Sequence, residues 1–485
     1  MRIMRALLFC LLLGAAADSG APPNAVIVTD FGDAGPGNCD STCTLRDAIV
    51  VALASVPIKG VLFSAANGWP QTITLTQGQL SISNLSADSF VISGPGPANL
   101  AISAANTSRV FEVSAGSLHL SALTVRDGRV VGLNAAPGDT DTGENGDSVI
   151  GVTTGGCVRI GAGVTAEFDR IDVRYCAVVG GRGGNGGSGV PIFGLGDPGG
   201  SGGVGGQAAG GGIYNAGTLT LRRSSVTLST STGGAGGNGG PGGGGFVQGP
   251  GGKGGAGWLG TGGAVYVADG GMLLLQNSTL AAATATGGNG GGGGDGGLTG
   301  GNGGAGGDSF GVLLHAQGAT GMAAVEFSTL AKGLAVPGQA GGGGLPNGGG
   351  ASAGSVHGAA IWGGGNVVVL SSVVVGAVVA FPLCDLNVAA ALGSVNIDGD
   401  STCAGFSLHK TFAEVLRDVD PTITPLPAYM PVYHGSAIDA AAACTGIGGS
   451  EVFADDQRAT SRPQGGACDL GAIEADYLFV DGFSG

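Results

Sequence analysis

Over residues 157–381 one short phrase recurs five times, opening as GGCVRI, GGGIYN, GGAVYV, FGVLLH and GAAIW. Each opening leads through a turn into an alternating strand, as in Thr218-Leu219-Thr220-Leu221 and Met272-Leu273-Leu274-Leu275. A further short strand follows, ending near Val173, Val226, Leu280, Leu330 or Val374. About two dozen residues of strand and turn cannot bury a core alone, so each copy must stack on its neighbours, which makes the chain a solenoid.

Glycine supplies 106 of the 485 residues, a share that would ordinarily suggest disorder or a collagen-like helix. The glycines fall in blocks without one at every third position along the chain, and the segments between are rich in Val, Leu, Ile and Thr. Such segments bury apolar surface as strands.

Residues 1–17 read as a secretory signal, with Arg2 and Arg5, an apolar run from Ala6 to Leu13 and a small-residue exit at Ala15-Ala16-Ala17. The run is too short to span a membrane, and no longer apolar stretch follows, so no transmembrane segment is expected in the mature chain. The expected location is extracellular or on the outer cell surface. Behind the leader stand Cys39, Cys43, Cys157, Cys176, Cys384, Cys403, Cys444 and Cys468, an even set that favours disulfides over zinc. Cys157 opens a copy and Cys176 closes it, so these two are expected to pair. Cys384 with Cys403, Cys444 with Cys468 and, by remainder, Cys39 with Cys43 complete the scheme. A net charge of -15 without a basic run argues against nucleic acid as a partner.

The organisation along the chain follows. Residues 18–60 form an N-terminal cap, in which Thr44 and Asp47 make a capping box and Leu45, Ile49, Leu53 and Val56 share one face of a helix over 43–56. A helix there would cover the open end of the solenoid. Residues 61–381 carry the coils, beginning with short strands such as 72–75, 80–82 and 90–92. The acidic, aperiodic tract 126–156 is expected to be an exposed loop. Glycine-rich tracts at about 180–210, 233–261, 287–308 and 338–355 should leave the body from one corner and stack as extended, polyproline-like arms. Ile192, Phe193, Phe246, Val247, Trp258, Leu259 and Leu298 are their candidate anchors. Residues 382–485 should close the far end.

Cys43-Thr44-Leu45-Arg46-Asp47-Ala48-Ile49 resembles the Cys-Ser-Leu-Arg-Glu-Ala motif near the start of bacterial secreted right-handed β-helix proteins. Gly94-Pro95-Gly96, Gly211-Gly212-Ile213-Tyr214-Asn215, Arg462-Pro463-Gln464-Gly465 and Cys468-Asp469-Leu470-Gly471-Ala472-Ile473-Glu474 resemble further phrases of those proteins, in the same order. The coil openings are also similar to passenger repeats of polymorphic outer membrane proteins, which act in adhesion. The resemblance implies an all-β, right-handed, single-stranded parallel β-helix in an extracellular setting, and no defined reaction.

β-Helix lyases and hydrolases need clustered carboxylates with a positioned Arg, Lys or His. Aligning the copies puts Asp169, Arg222, Gln276 and Glu326 in one column and Arg170, Arg223, Asn277 and Phe327 in the next. Asp169, Arg170, Arg222 and Arg223 are the candidate ligand-binding residues, for an anionic sugar or carboxylate, with a plain surface ion-pair ladder as the alternative. Residues 303–311 fit a calcium nonapeptide, but without tandem copies in register. His119, His315, His357, His409 and His434 are scattered. No catalytic residue, metal or cofactor is assigned. The leading function is a non-catalytic secreted or surface protein that contacts extracellular polysaccharide or a host or matrix surface. A polysaccharide lyase or glycoside hydrolase, or a purely structural envelope protein, are the alternatives.

Overall fold

A computed structural model describes residues 24–475 except 36, 55–59, 67, 87, 141, 192–193, 377–380, 418–427, 433–434 and 450. The expected leader over residues 1–17, with Cys10, lies outside the described residues, as do Val56 at the end of the expected helix, Ile192, Phe193 and His434.

Apart from one antiparallel pair, Leu416–Arg417 with Met430–Pro431, the strands named here pair in parallel, each with its equivalent in the next coil. Three ladders enclose the core. The first runs through Phe111–Ala115, Val158–Ile160, Ile213–Asn215, Val265–Val267, Leu314–Ala316 and the start of Ile361–Leu370. The second passes from Thr165 through Thr218–Arg222, Met272–Gln276 and Met322–Glu326, and the third through Ser225–Thr227, Thr279–Ala281, Thr329–Ala331 and Val373–Val375. Crossovers between parallel strands of one sheet are right-handed. The chain is thus a right-handed parallel β-helix. Alternation sends Phe168, Leu221, Leu275 and Val325 inward, where they stack in one fully buried file.

Left-handed residues make the corners. Between the second and third ladders, Ala122, Arg170, Arg223, Asn277, Phe327 and Ser371 all hold φ between 44° and 54°. The next residue in four of these coils is serine, and the serines form a buried ladder: Ser224, Ser278 and Ser328 donate backbone N–H to the hydroxyls of Ser278, Ser328 and Ser372 at 3.0–3.2 Å. Side-chain oxygens thereby satisfy donors that the bend removes from the β ladder.

The helix Leu45–Ala54 packs on the first strands and buries Leu45, Ala48, Ile49 and Ala52. Thr44 donates to the Asp47 carboxylate at 2.9 Å and accepts its N–H at 3.2 Å, which fixes the start. Arg46 forks onto Asp33 and the carbonyls of Gly78 and Gln79, tying the cap to the first coils. Disulfides join Cys39–Cys43, Cys157–Cys176, Cys384–Cys403 and Cys444–Cys468.

The body does not end at 381. Cys384–Ala390, Ile397–Asp398 and Leu408–His409 add strands to the ladders, and the chain then turns back along the side of the rod. There it docks as a strap on the corner between the second and third ladders. Gly471 N–H reaches the Ser371 carbonyl at 2.9 Å, Ala472 N–H the Thr329 hydroxyl at 3.0 Å, and Thr279 donates to Gln457 at 2.6 Å. The expected end cap over 382–485 is therefore one further turn of coil plus a lateral strap. Its apolar side explains the route, because Phe453, Cys468 and Leu470 bury Phe327, the one large apolar residue in the corner column.

Between the third and first ladders the chain leaves the body. Two short ladders mark the exit and the return: Arg129–Val131, Ala177–Val179, Thr230–Thr232, Thr284–Thr286 and Leu334–Val336 lead out, and Val152–Thr154, Gln207–Ala209, Gly260–Thr261, Ser309–Phe310 and Val356–His357 lead back. Five arms stand between them. The tract 126–156, expected as an exposed loop, is the first arm, since Gly132, Ala135 and Gly138 donate to the carbonyls of Val179, Arg182 and Asn185 in the next.

Each limb of an arm is built from triplets. The first N–H of a triplet bonds to the next arm in the same layer, as Gly233, Gly236 and Gly239 do to Thr286, Asn289 and Gly292 at 2.8–2.9 Å. The second bonds across to the other layer, as Gly234, Gly237 and Gly240 do to Gly206, Gly203 and Gly200 at 2.8 Å. A three-residue period in extended backbone is polyproline II. The arms thus form a two-layer slab in which neighbouring backbones are hydrogen-bonded in two directions. None of the described triplet glycines in 233–243 has positive φ, so steric room, not conformational freedom, demands glycine. A Cβ on Gly236 would lie 2.0 Å from the Gly255 oxygen, and one on Gly237 1.8 Å from the Gly184 oxygen. At the third position of another arm, a Cβ on Gly342 would meet nothing within 4 Å.

Gly237→Ala should therefore destabilise the slab by about 2–4 kcal/mol, as overpacking against fixed backbone does, whereas Gly342→Ala should leave it unchanged. Calorimetric unfolding of the two variants beside the parent measures the difference. Equal transitions would contradict the triplet assignment.

Candidate functional surfaces

The register pairs Asp169 with Arg222, Arg222 with Gln276 and Gln276 with Glu326, so the column read from the sequence is a physical column. Asp169, Arg170, Arg222 and Arg223 come together there, but beneath the strap. Arg223 holds both oxygens of Asp169 at 2.8 and 2.9 Å and gives its remaining nitrogen to Asp455 at 3.1 Å. Burial pulls its pKa down, and the two carboxylates outweigh that and leave it raised. Arg222 forks onto Glu451 at 2.7 and 3.1 Å, and Gln276 bridges Glu451 to Glu326. Arg170 alone projects, half exposed, with Asp169 at 3.4 Å. An anion at the two arginines would have to displace the strap's carboxylates. The strap was not visible as a partner from repeat alignment, because more than 200 residues separate Arg222 from Glu451.

One further charged group stands beside that corner. Glu167 lies 3.6 Å from His119 and 3.8 Å from Arg222. Its hydrogen bond with His119 holds its pKa below the usual carboxylate range, against the opposing effect of burial.

On the outward side of the first ladder, rings at one register position form a stack. Tyr214 and Tyr266 lie 5.3 Å apart, Tyr266 and His315 4.7 Å, and His315 and Trp362 4.4 Å, all near parallel. Burial lowers the His315 pKa to about 4, so its ring is neutral in the stack at physiological pH. Its faces are covered by Tyr266 and Trp362. His357 stacks on Phe310, which also meets the edge of His315, and pairs with Asp385, while His119 and His409 meet Glu167 and Asp398 elsewhere. The nonapeptide 303–311 is slab as far as Asp308: Gly303, Gly304, Gly306 and Gly307 occupy triplet positions, Asp308 accepts the Ser355 N–H at 2.7 Å, and Ser309–Phe310 belongs to the returning ladder.

The largest repetitive surface is the slab itself. Third residues of the triplets face outward, and on the outgoing layer they align across arms as Asn134, Arg182, Ala235, Asn289 and Gln339, with Asn185, Asn238 and Gly292 one turn further out. Their side chains are oriented by backbone. The Asn134 oxygen accepts Arg182 N–H, Asn185 accepts Asn238 N–H, Asn238 accepts Gly292 N–H and Asn289 accepts Gln339 N–H, each at 2.9 Å. With the carbonyl fixed, each carboxamide keeps two N–H donors for an outside acceptor. On the returning layer Asn145, Asn302 and Asp308 accept in the same way. Trp258, expected as an anchor, is 41% exposed, and it is its backbone that joins the slab, the carbonyl taking the Gly288 N–H at 2.7 Å and the N–H donating to the Gly234 carbonyl at 3.0 Å.

Fold and surfaces together define a disulfide-bonded parallel β-helix carrying a polyproline II slab. No family model matches the chain, and no curated protein matches it in sequence. Among solved structures it is similar to pectate lyase Pel9A, with 13% identity over 93% of this chain and 97% of that one and a TM-score of 0.37. It is also similar to ORF18 of Geobacillus virus E2, with 12% identity over 63% and 57% and a TM-score of 0.25. A nine-helix polyproline II antifreeze protein of the springtail Granisotoma rainieri aligns with 46% of this chain and 94% of its own at 24% identity and a TM-score of 0.12. These likenesses are too distant to bear on activity.

Asp172, beneath the charged corner, is fully buried between the Ser225 hydroxyl at 2.8 Å and Arg174 at 3.2 Å. Burial raises its pKa to about 6 from 3.8, against the pull of Arg174 and Ser225. A raised carboxyl adds stability that is complete below the unfolded pKa and lost as pH rises through the folded one. Asp172→Asn should therefore gain on the parent between pH 4 and 7, by at most about 3 kcal/mol. Unfolding midpoints across that range check it, and parallel pH profiles would contradict it.

Proposed function

We propose that this is a secreted or cell-surface, non-catalytic β-helix whose slab contacts extracellular polysaccharide. The observation that carries the reading is the pair of rows of oriented carboxamides, Asn134 and Asn289 in one and Asn185 and Asn238 in the next. Neutral donors held at fixed spacing on a rigid backbone suit a hydroxyl-rich polymer, because their ordering cost is met in folding and not on binding. Four disulfides fit an oxidising, extracellular setting. The N-terminal motif around Cys43 to Ile49 and the adhesin-like coil openings point the same way.

The second reading, a polysaccharide lyase or hydrolase, is favoured by the His119, Glu167 and Arg222 group, which combines a carboxylate, an imidazole and a guanidinium within 3.6–3.8 Å contacts.

A glycan array followed by product analysis separates the two. The expected result is retention of a neutral polysaccharide without shortening of its chains, weakened about tenfold or more in Asn185→Ala/Asn238→Ala/Asn289→Ala and unchanged in Glu167→Gln. Chain cleavage abolished by Glu167→Gln would establish the enzyme instead, and no retention of any glycan would remove the contact reading.

A further inference from the structure

At the free ends of the second to fifth arms, the turns joining outgoing to returning limbs carry Leu195, Phe246, Val247, Leu298 and Leu345, exposed by 54, 84, 40, 66 and 73%. Elsewhere exposed apolar residues stand singly, which needs no explanation, or, as Val131, Leu133, Ile150 and Val152 do, lie at the base of the first arm on the side that no other arm covers. Here they fall on successive arms and form one ridge, farthest from the body.

The ridge is built, not frayed. Gly196 N–H meets the Val247 carbonyl at 2.9 Å, Gly296 the Leu345 carbonyl at 2.7 Å and Gly300 the Pro346 carbonyl at 2.6 Å, so each tip is bonded to the next. The same bonds that hold the slab prevent these side chains from folding back onto the core. Glycine and proline flank them, and no Lys or Arg occurs in the tip turns at 191, 194–196, 244–248, 297–299 or 345–347. The charges nearby are mostly acidic: Asp197 and Asp295 on the limbs, Asp139 and Glu144 on the first arm, against Lys253 at the level of the last two.

Shape and size select the occupant. Four arms at the ~4.8 Å spacing of paired strands give a strip about 14 Å long, and two layers give it a width of roughly 10 Å. That is on the order of 150 Å², far below the ~800 Å² per partner of a stable protein interface, so a second copy meeting it tip to tip would gain too little. A narrow, convex, rigid apolar edge instead suits a medium that closes around it, as the interfacial region of a lipid bilayer does around the apolar face of a surface-bound helix. The acidic surroundings and the net charge of -15 disfavour an anionic leaflet.

We infer that the arm tips are a docking edge for a zwitterionic phospholipid surface, with Phe246, Leu298 and Leu345 entering the headgroup boundary while the slab stands upright on it. This contact uses the edge of the slab, whereas the polysaccharide contact uses its face, and neither depends on the other.

Flotation of the full chain with phosphatidylcholine vesicles tests it. The protein is expected to float with the vesicles, to lose at least tenfold in bound fraction in Phe246→Ser/Leu298→Ser/Leu345→Ser, and to bind more weakly as phosphatidylserine is added. Asn185→Ala/Asn238→Ala should float like the parent. A second measurement does not depend on loss of binding: in L298W the new indole should be quenched by brominated phosphatidylcholine. Failure of the parent to float, undiminished binding by the triple variant, or absence of quenching would each overturn the inference. So would a concentration-dependent dimer in light scattering that the triple variant abolishes, since it would assign the ridge to a second copy.

Discussion

The structure depends on how closely two polypeptide backbones can approach when neither carries a side chain. In the slab a glycine N–H meets a carbonyl of another limb at 2.8 Å, and the space a Cβ would need lies within about 2 Å of a neighbouring carbonyl oxygen. Glycine loses more conformational entropy on ordering than any other residue, and these arms bury almost no apolar side chain. Two backbone hydrogen bonds per triplet offset that loss, and they form only because the coils hold successive arms at strand spacing. The body thus acts as a jig for the slab.

The edges of the slab show the same constraint relaxed. On the first arm the second triplet position is Leu133 and then Ala136, both exposed, because no earlier arm packs against that side. On the last arm Pro337 stands where Gly180, Gly233 and Gly287 donate in the preceding arms. A residue without N–H at the terminal edge leaves no donor there unpaired.

Strand periodicity and the recurring openings made the coils legible: the alternation of Leu219, Leu221, Leu273 and Leu275 fixes which side is core, and equal spacing fixes the register that pairs Asp169 with Arg222 and Gln276. The capping pair Thr44 and Asp47 likewise placed the helix start. The first arm escaped because Leu133, Ala135 and Ala136 dilute its glycines, although Gly132, Gly138, Gly143 and Gly146 keep the spacing in part. A triplet count confined to each block, in place of one over the whole chain, would have found the polyproline period. The strap could not be read, since its contacts join Glu451 and Asp455 to arginines in distant coils. Phe327 in a column otherwise polar or small was the signal of a lateral partner. The charged group chosen as a ligand site is largely occupied by the protein itself. The oriented carboxamides were missed because Asn185 and Asn238 gain their geometry only from arms stacked beside them.

Both proposed contacts draw on one property, a rigid backbone sheet that sets side chains at fixed intervals outside the body. Its rigidity is measured most directly by residue-resolved hydrogen exchange across 233–257. The account predicts protection close to that of the coils at Gly233, Gly236 and Gly239 and at Gly234, Gly237 and Gly240, which donate to backbone, with faster exchange at Ala235, the half-buried third position between them, which does not donate to backbone. Uniform exchange at the rate of an unstructured chain would contradict it.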